Sequence, residues 1–238
     1  MAFAMNRPRV VVSELLDALV PSDPRAQRSR ADLRRIHRAM ASLTIMRAAL
    51  RRATRDWQPQ TLLEIGAGDG SLMLRLGECQ AQAWPQISVT LVDRLDVVEP
   101  HTLDGLRRLG WHPQALTADV FDWLATAEGG PWDVICANLF LHHFARSELA
   151  RLLAAVAART RVFFCCEPRR APLALLGSHL LGLLGAGAVT RFDAVASVHA
   201  GFQAKELTAL WPVAGGWHVE EYPAGLFSHA FLAVRTAP

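Results

Sequence analysis

The run Glu64-Ile65-Gly66-Ala67-Gly68-Asp69-Gly70 places three glycines at alternate positions, behind an acid and ahead of a helical segment. Glycine lets a chain turn tightly and brings its backbone against a ligand with no Cβ in the way. A helix start just beyond leaves free N–H groups facing the same space. Asp93 closes a second apolar run, Val89-Thr90-Leu91-Val92. A carboxylate at a strand end can accept from both hydroxyls of a ribose, which points to a nucleoside without naming a reaction. Farther on stand Ala118-Asp119-Val120-Phe121 and Asn138-Leu139-Phe140-Leu141-His142-His143-Phe144. An ordinary histidine, of pKa about 6.5, can take a hydroxyl proton near neutral pH. His142 and His143 are therefore candidate bases. A dinucleotide turn would read GxGxxG, but Ser71 holds its third glycine position and Gly70 comes one residue early.

These residues need elements to position them. Short β-rich runs at 61–65, 88–92, 115–118, 134–137 and 162–166 alternate with helical runs at 71–83, 103–109, 121–127 and 146–158. Such alternation predicts an α/β, Rossmann-like doubly wound sheet of mostly parallel strands. Runs at 217–222 and 227–234, joined around Pro223, Ala224 and Gly225, predict an antiparallel C-terminal hairpin. Residues 1–56 read as a helical cap. Within it, Leu33, Ile36, Met40, Leu43, Met46 and Leu50 share one face of a single long helix over 25–54. Residues 57–238 form the core, with an insertion at about 168–212 reading as a substrate lid. Inside that insertion, residues 171–189 carry no charged side chain and hold four glycines. This stretch fits a lid over an apolar pocket, with core or membrane-surface contact and a membrane span as alternatives; the glycines and the position between strands weigh against the span.

The acidic-x-Gly-x-Gly-x-Gly spacing resembles the signature of class I S-adenosylmethionine-dependent methyltransferases. The resemblance covers residues 60–167 and rests on four ordered segments, each at a strand end. It implies S-adenosyl-L-methionine as cofactor, held by Glu64, Gly66, Gly68, Gly70, Asp93, Asp119, Val120 and Asn138. In that family the segment matching Ala118-Asp119-Val120-Phe121 meets the adenine. The segment after the fourth strand faces the transferred methyl. Leu141-His142-His143-Phe144 is similar to the Leu-His-Asp-Trp segment of phenolic O-methyltransferases, which places the general base on His142; His143 departs from the family's Asp. Glu167 reads either as the residue orienting a histidine or as an ion-pair partner of Arg169 or Arg170, with the ion pair favoured.

The remaining chain bounds the acceptor. With 238 residues, 51% hydrophobic and 20% charged, this is a globular composition. Cys165 and Cys166 read as buried strand thiols, no cysteine pair suggests zinc, and no metal is expected. The N-terminus shows no signal-peptide pattern, so a cytoplasmic location without a membrane span is expected. Residues 1–56 carry twelve Arg against five acids, a local balance of +7. This permits a nucleic-acid methyltransferase or binder as an alternative. The missing Asn/Asp-Pro-Pro-aromatic tetrapeptide and the single Tyr disfavour it. Apolar, flexible side chains such as Met40, Met46, Leu173 and Leu180 suit a lipophilic or aromatic small molecule, such as a phenol, polyketide or quinone precursor. Oxygen is the expected nucleophile and carbon its close rival, and the oligomeric state is left open.

Overall fold

The computed structural model describes residues 8–126 and 131–236. Strand β1 (Thr61–Ile65) is buried on both faces, as its unbroken apolar run requires. It pairs in parallel with β2 (Ser88–Asp93) on one side and β4 (Trp132–Asn138) on the other. Outside them lie β3 (His112–Thr117) and β5 (Thr160–Pro168), both parallel. β7 (Ser228–Arg235) runs antiparallel to β5 and to β6 (Trp217–Ala224), giving the order β3-β2-β1-β4-β5-β7-β6. The chain reverses its direction of travel across the sheet between β1 and β4, and open α/β sheets bind ligands at that switch point.

Alternate residues of each strand feed different cores. Leu62, Val134, Cys136 and Phe164 pack with α2 (Ser42–Ala53) and α3 (Ser71–Gln80). Leu63, Ile65, Ile135 and Phe163 pack with α6 (Arg146–Arg159) on the other face. α4 (Pro100–Arg108) and α5 (Val120–Thr126) complete the two layers. The fold class is as expected, with β3 beginning three residues earlier than the β-rich run suggested. Of the expected helix 121–127, Ala127 lies outside the described residues.

The N-terminal cap departs from expectation. One long helix is instead two, α1 (Pro24–Ala39) and α2, broken where Ala41 takes φ 56°. A left-handed alanine costs about 1–2 kcal/mol. The apolar stripe hides the break because its halves serve different purposes: Met46 and Leu50 enter the core, while Leu33, Ile36 and Met40 face a cavity. Residues 8–20 were expected to be helical, but they form an extended strap with one 3-10 turn at Leu16–Ala18. The uncharged stretch becomes α7 (Pro172–Leu180) and a 3-10 turn at Leu181–Leu184, and α8 (Ala188–Ala200), which the sequence reading missed, follows.

Candidate active site

The glycine turn is bound to the end of β2. Gly66 and Ala67 both donate their N–H to the Val92 carbonyl, and Gly68 donates to Asp93 Oδ2 at 2.8 Å. All three glycines have positive φ, from 55° to 72°. At Gly66 a Cβ would sit 2.2 Å from the Phe140 ring, whereas at Gly68 it would meet nothing within 4 Å. Gly66 is therefore required by packing, and Gly68 leaves open space. Gly70 packs on Thr102 and Leu91 behind the turn, outside the cleft.

Two adjoining cavities, of about 190 and 480 Å³, run along these strand ends. The first brings together Glu64, Gly66, Gly68, Asp93, Asn138, His142 and His143. The second joins Asp93 to Asp119 and Val120. Asp119 is exposed, and its Oδ1 caps α5 by accepting from Phe121 N. Glu64 is fully buried, and burial, followed by the charges of Asp69 and Asp93, raises its pKa to about 8.

Beyond Asn138 the chain turns through Leu139, at φ 52°, into a 3-10 turn at Leu141–His143. Glu167, 0% exposed, accepts from the amides of Phe140, Leu141 and His142. It also takes the Nδ1–H of His142 at 2.8 Å. Arg170 turns away to Glu206 and Arg169 to the Gly225 carbonyl. Glu167 is thus placed to orient His142, and the favoured ion-pair reading is corrected: its carboxylate faces the free amides of the turn, while Arg169 and Arg170 bond elsewhere.

The strap supplies what the sequence reading missed. Glu14 lies 3.2 Å from His142 Nε2 and also accepts from Ser197 Oγ. Asp17 stands between His143 and Arg94. Burial pulls the His142 pKa down, but its hydrogen bonds and charge pairing with Glu14 and Glu167 outweigh this and lift it to about 9. His143 is lowered by burial and by the His142 charge. Arg9 grips the same turn from behind, donating to the carbonyls of Phe144 and His142 at 2.8 Å each. On the opposite wall, Arg34 of α1 pairs with Asp69 of the glycine turn at 2.8 Å. Two acids spaced three apart in an apolar stretch were the available signal for Glu14 and Asp17, and such spacing on its own does not distinguish a strap from a surface helix.

A methyltransferase-domain family profile matches residues 33–215. The chain belongs to that family. It is an S-adenosylmethionine-dependent methyltransferase. Similar solved structures include an O-methyltransferase family protein from Burkholderia thailandensis, at 17% identity and TM-score 0.59, covering 91% of this chain and 61% of that one. Magnesium protoporphyrin IX methyltransferase from Synechocystis PCC 6803, with bound SAH, aligns at 18% identity and TM-score 0.52, covering 89% and 87%. The pyocyanin biosynthetic protein PhzM aligns at 17% identity and TM-score 0.59, covering 94% and 62%. The methyltransferase thus spans about three fifths of the Burkholderia and PhzM chains. No curated protein matches its sequence.

The cleft suits the cofactor on its own chemistry. Glu64 Oε2, both amide atoms of Asn138 and Arg30 Nη2 are buried without a partner, and all three residues line the first cavity. Buried polar atoms are rarely left unpaired, so a polar ligand is the expected partner. An amino acid portion with ammonium and carboxylate would satisfy that set. The buried thiols serve no such purpose: burial pushes Cys166 up to about 12 and raises Cys136 and Cys165 well above the ordinary thiol value, so none is a nucleophile.

A third cavity, of about 320 Å³, lies between α1, α7 and α8 and shares Glu14, Leu139 and Ser197 with the cofactor cleft. Leu33, Ile36, Met40, Leu180 and Phe227 make its wall apolar. At the junction, Glu14, His142 and His143 bring ligand-type atoms within 4.8 Å of one another. The two imidazole planes tilt by 32° at 4.3 Å between centroids.

Proposed function

We propose that the methyltransferase methylates the hydroxyl oxygen of a lipophilic aromatic acceptor, phenolic or polyketide-like, with His142 as general base. One observation carries this reading: the Glu167–His142–Glu14 chain stands where the apolar cavity meets the cofactor cleft. Glu64, Asn138 and Arg30 would hold the amino acid end of the cofactor, Asp93 the ribose, and Asp119 with Val120 the adenine. Gly66 and Gly70 shape the turn, and Gly68 leaves room for the ligand. Bound S-adenosylmethionine supplies a methyl already activated on a sulfonium, so the protein need only align, shield and deprotonate.

Glu167 fixes the His142 tautomer by taking Nδ1–H, which leaves Nε2 as the basic atom. The neutral form of His142, which grows as pH rises toward 9, takes the acceptor's hydroxyl proton at Nε2, where Glu14 now sits. The imidazolium formed is held by the two carboxylates. A base of pKa about 9 is well matched to a phenol, whose own pKa lies near 10. His143, half-buried and with its pKa lowered by burial and by the His142 charge, lines the cleft beside it.

The arginines of the cap give little support to the nucleic-acid alternative. Arg9, Arg28 and Arg30 donate to backbone carbonyls, while Arg25, Arg34, Arg35 and Arg52 pair with carboxylates. These seven have partners within the fold, although Arg25 and Arg35 stay largely exposed.

The test is methyl transfer to a panel of long-chain alkylphenols by wild type and His142→Gln. Loss of about 10²–10⁴-fold in kcat, with S-adenosylhomocysteine affinity unchanged, is expected of a lost base. Undiminished turnover by the variant refutes the assignment. NMR of the product separates O-methyl from C-methyl, and a C-methyl product replaces the oxygen reading with that of a carbon methyltransferase.

A further inference from the structure

The mouth of the apolar cavity presents an unusual surface. One face of α7 buries Ala174 and Ser178, while Leu173, Leu176 and Leu180 project from the other. The following 3-10 turn extends this face, with Leu183 at 83% and Leu184 at 77% exposure. Exposed leucines are common singly, but five in one segment form a patch that marks an interaction surface. Leu180 and Leu184 also line the cavity, so the patch and the cavity mouth are continuous.

The charge around the patch has one sign. No Asp or Glu occurs from Pro168 to Phe192. Two exposed arginines flank the turn: Arg28 donates to the Gly185 carbonyl at 3.0 Å, and the Arg191 side chain lies against Gly182. Among the described residues no helix is long and apolar enough to cross a membrane. An apolar face rimmed by guanidinium groups is the chemistry of a segment lying in the surface of an anionic bilayer.

We infer that α7 and the Leu181–Leu184 turn dock on an anionic lipid bilayer, with Leu173, Leu176 and Leu183 entering the acyl boundary and Arg28 and Arg191 meeting headgroup phosphates. The docked mouth opens the cavity toward the lipid, so a hydrophobic acceptor passes into it without crossing water. That access route rests on reading the cavity as the acceptor site; the docking itself does not.

Flotation with extruded vesicles of phosphatidylcholine, with and without 30 mol% phosphatidylglycerol, about the surface charge of an anionic leaflet, tests the inference. Wild type is expected to float with the anionic vesicles and to release as salt rises. Leu176→Asp/Leu183→Asp, which touches neither cavity, is expected to lose at least tenfold in partitioning. Arg28→Gln and Arg191→Gln are each expected to lose about fivefold. S-adenosylhomocysteine binding measured on the same samples should be unchanged, showing that the variants fold and keeping this test separate from the methyltransferase assignment. No flotation by wild type, or flotation indifferent to the leucine and arginine variants, overturns the inference. So does a wild-type dimer in light scattering that Leu176→Asp/Leu183→Asp dissolves while no vesicles are bound, which would assign the patch to a second copy.

Discussion

Replacing Glu14 by Gln keeps the size of the side chain and removes one of the two charges that hold His142. At 3.2 Å and an effective dielectric near 20, a unit-charge pair is worth about 5 kcal/mol as a ceiling. Glu14 retains some contact with water, and opposite charges at this range shift a pKa by about 1–3 units in practice. The His142 pKa should therefore fall from about 9 to roughly 6–8 in Glu14→Gln. The direct assay is a ¹H–¹³C titration of the imidazole signals, with His142 assigned by its absence in His142→Gln. The rising limb of kcat/KM against pH should move down with it. The sign for stability follows from the same shift. A folded pKa raised from 6.5 to about 9 adds stability that is complete below pH 6.5 and is lost as pH rises through 9. A wild-type His142 that titrates at or below 6.5, or one that Glu14→Gln leaves in place, refutes the clamp.

Asp93→Ala removes a brace from Gly68 and the proposed ribose acceptor together, so calorimetry should show S-adenosylhomocysteine binding weakened by about 10- to 100-fold; a change under about threefold would remove Asp93 from the site. Glu64, with a pKa of about 8, is mostly protonated at pH 7, and an incoming ammonium should expel that proton. Calorimetry in buffers of different ionisation enthalpy should register the release in wild type and none in Glu64→Gln; equal heats in both would place the ammonium elsewhere. Gly66 and Gly68 should fail differently. Gly66→Ala drives a methyl into Phe140 and lowers the melting temperature sharply. Gly68→Ala costs only the left-handed strain of about 1–2 kcal/mol but occupies ligand space, so binding should fall more than stability.

The sheet was legible because its strands are buried on both faces, and a run such as Val162–Cys166 admits few other readings. The glycine turn, Asp93 and His142 were legible for a related reason: each sits at a strand end, where topology alone brings it to the cleft. Glu14 was not, because it reaches His142 across a sequence separation of 128 residues on a strap with no periodicity of its own. The α1–α2 break was hidden because a stripe of apolar residues looks the same whether it lines a core or a cavity. Glu167 was misjudged because two arginines follow it directly, and adjacency in sequence outweighed the amides of a turn 26 residues upstream. The basic N-terminus read chiefly as a solvated face, and two of its guanidinium groups instead brace the site, Arg9 on the His142 turn and Arg34 on Asp69.

The turn that carries His142 is gripped from both directions, its amides by Glu167 and its carbonyls by Arg9. A turn held so firmly contributes no adaptability, and neither do the strands behind it. On the proposed reading, preference for one acceptor over another falls to residues 8–20, α1 and the uncharged stretch 171–189, none of which supplies a strand to the sheet. Reaction and selectivity are thereby written in separate parts of the chain, with Glu14 as the point where they meet. Such a division should open the protein to grafting: exchanging the peripheral stretches while keeping Glu14 and Arg9 is expected to retune the acceptor and leave the His142 turn in place.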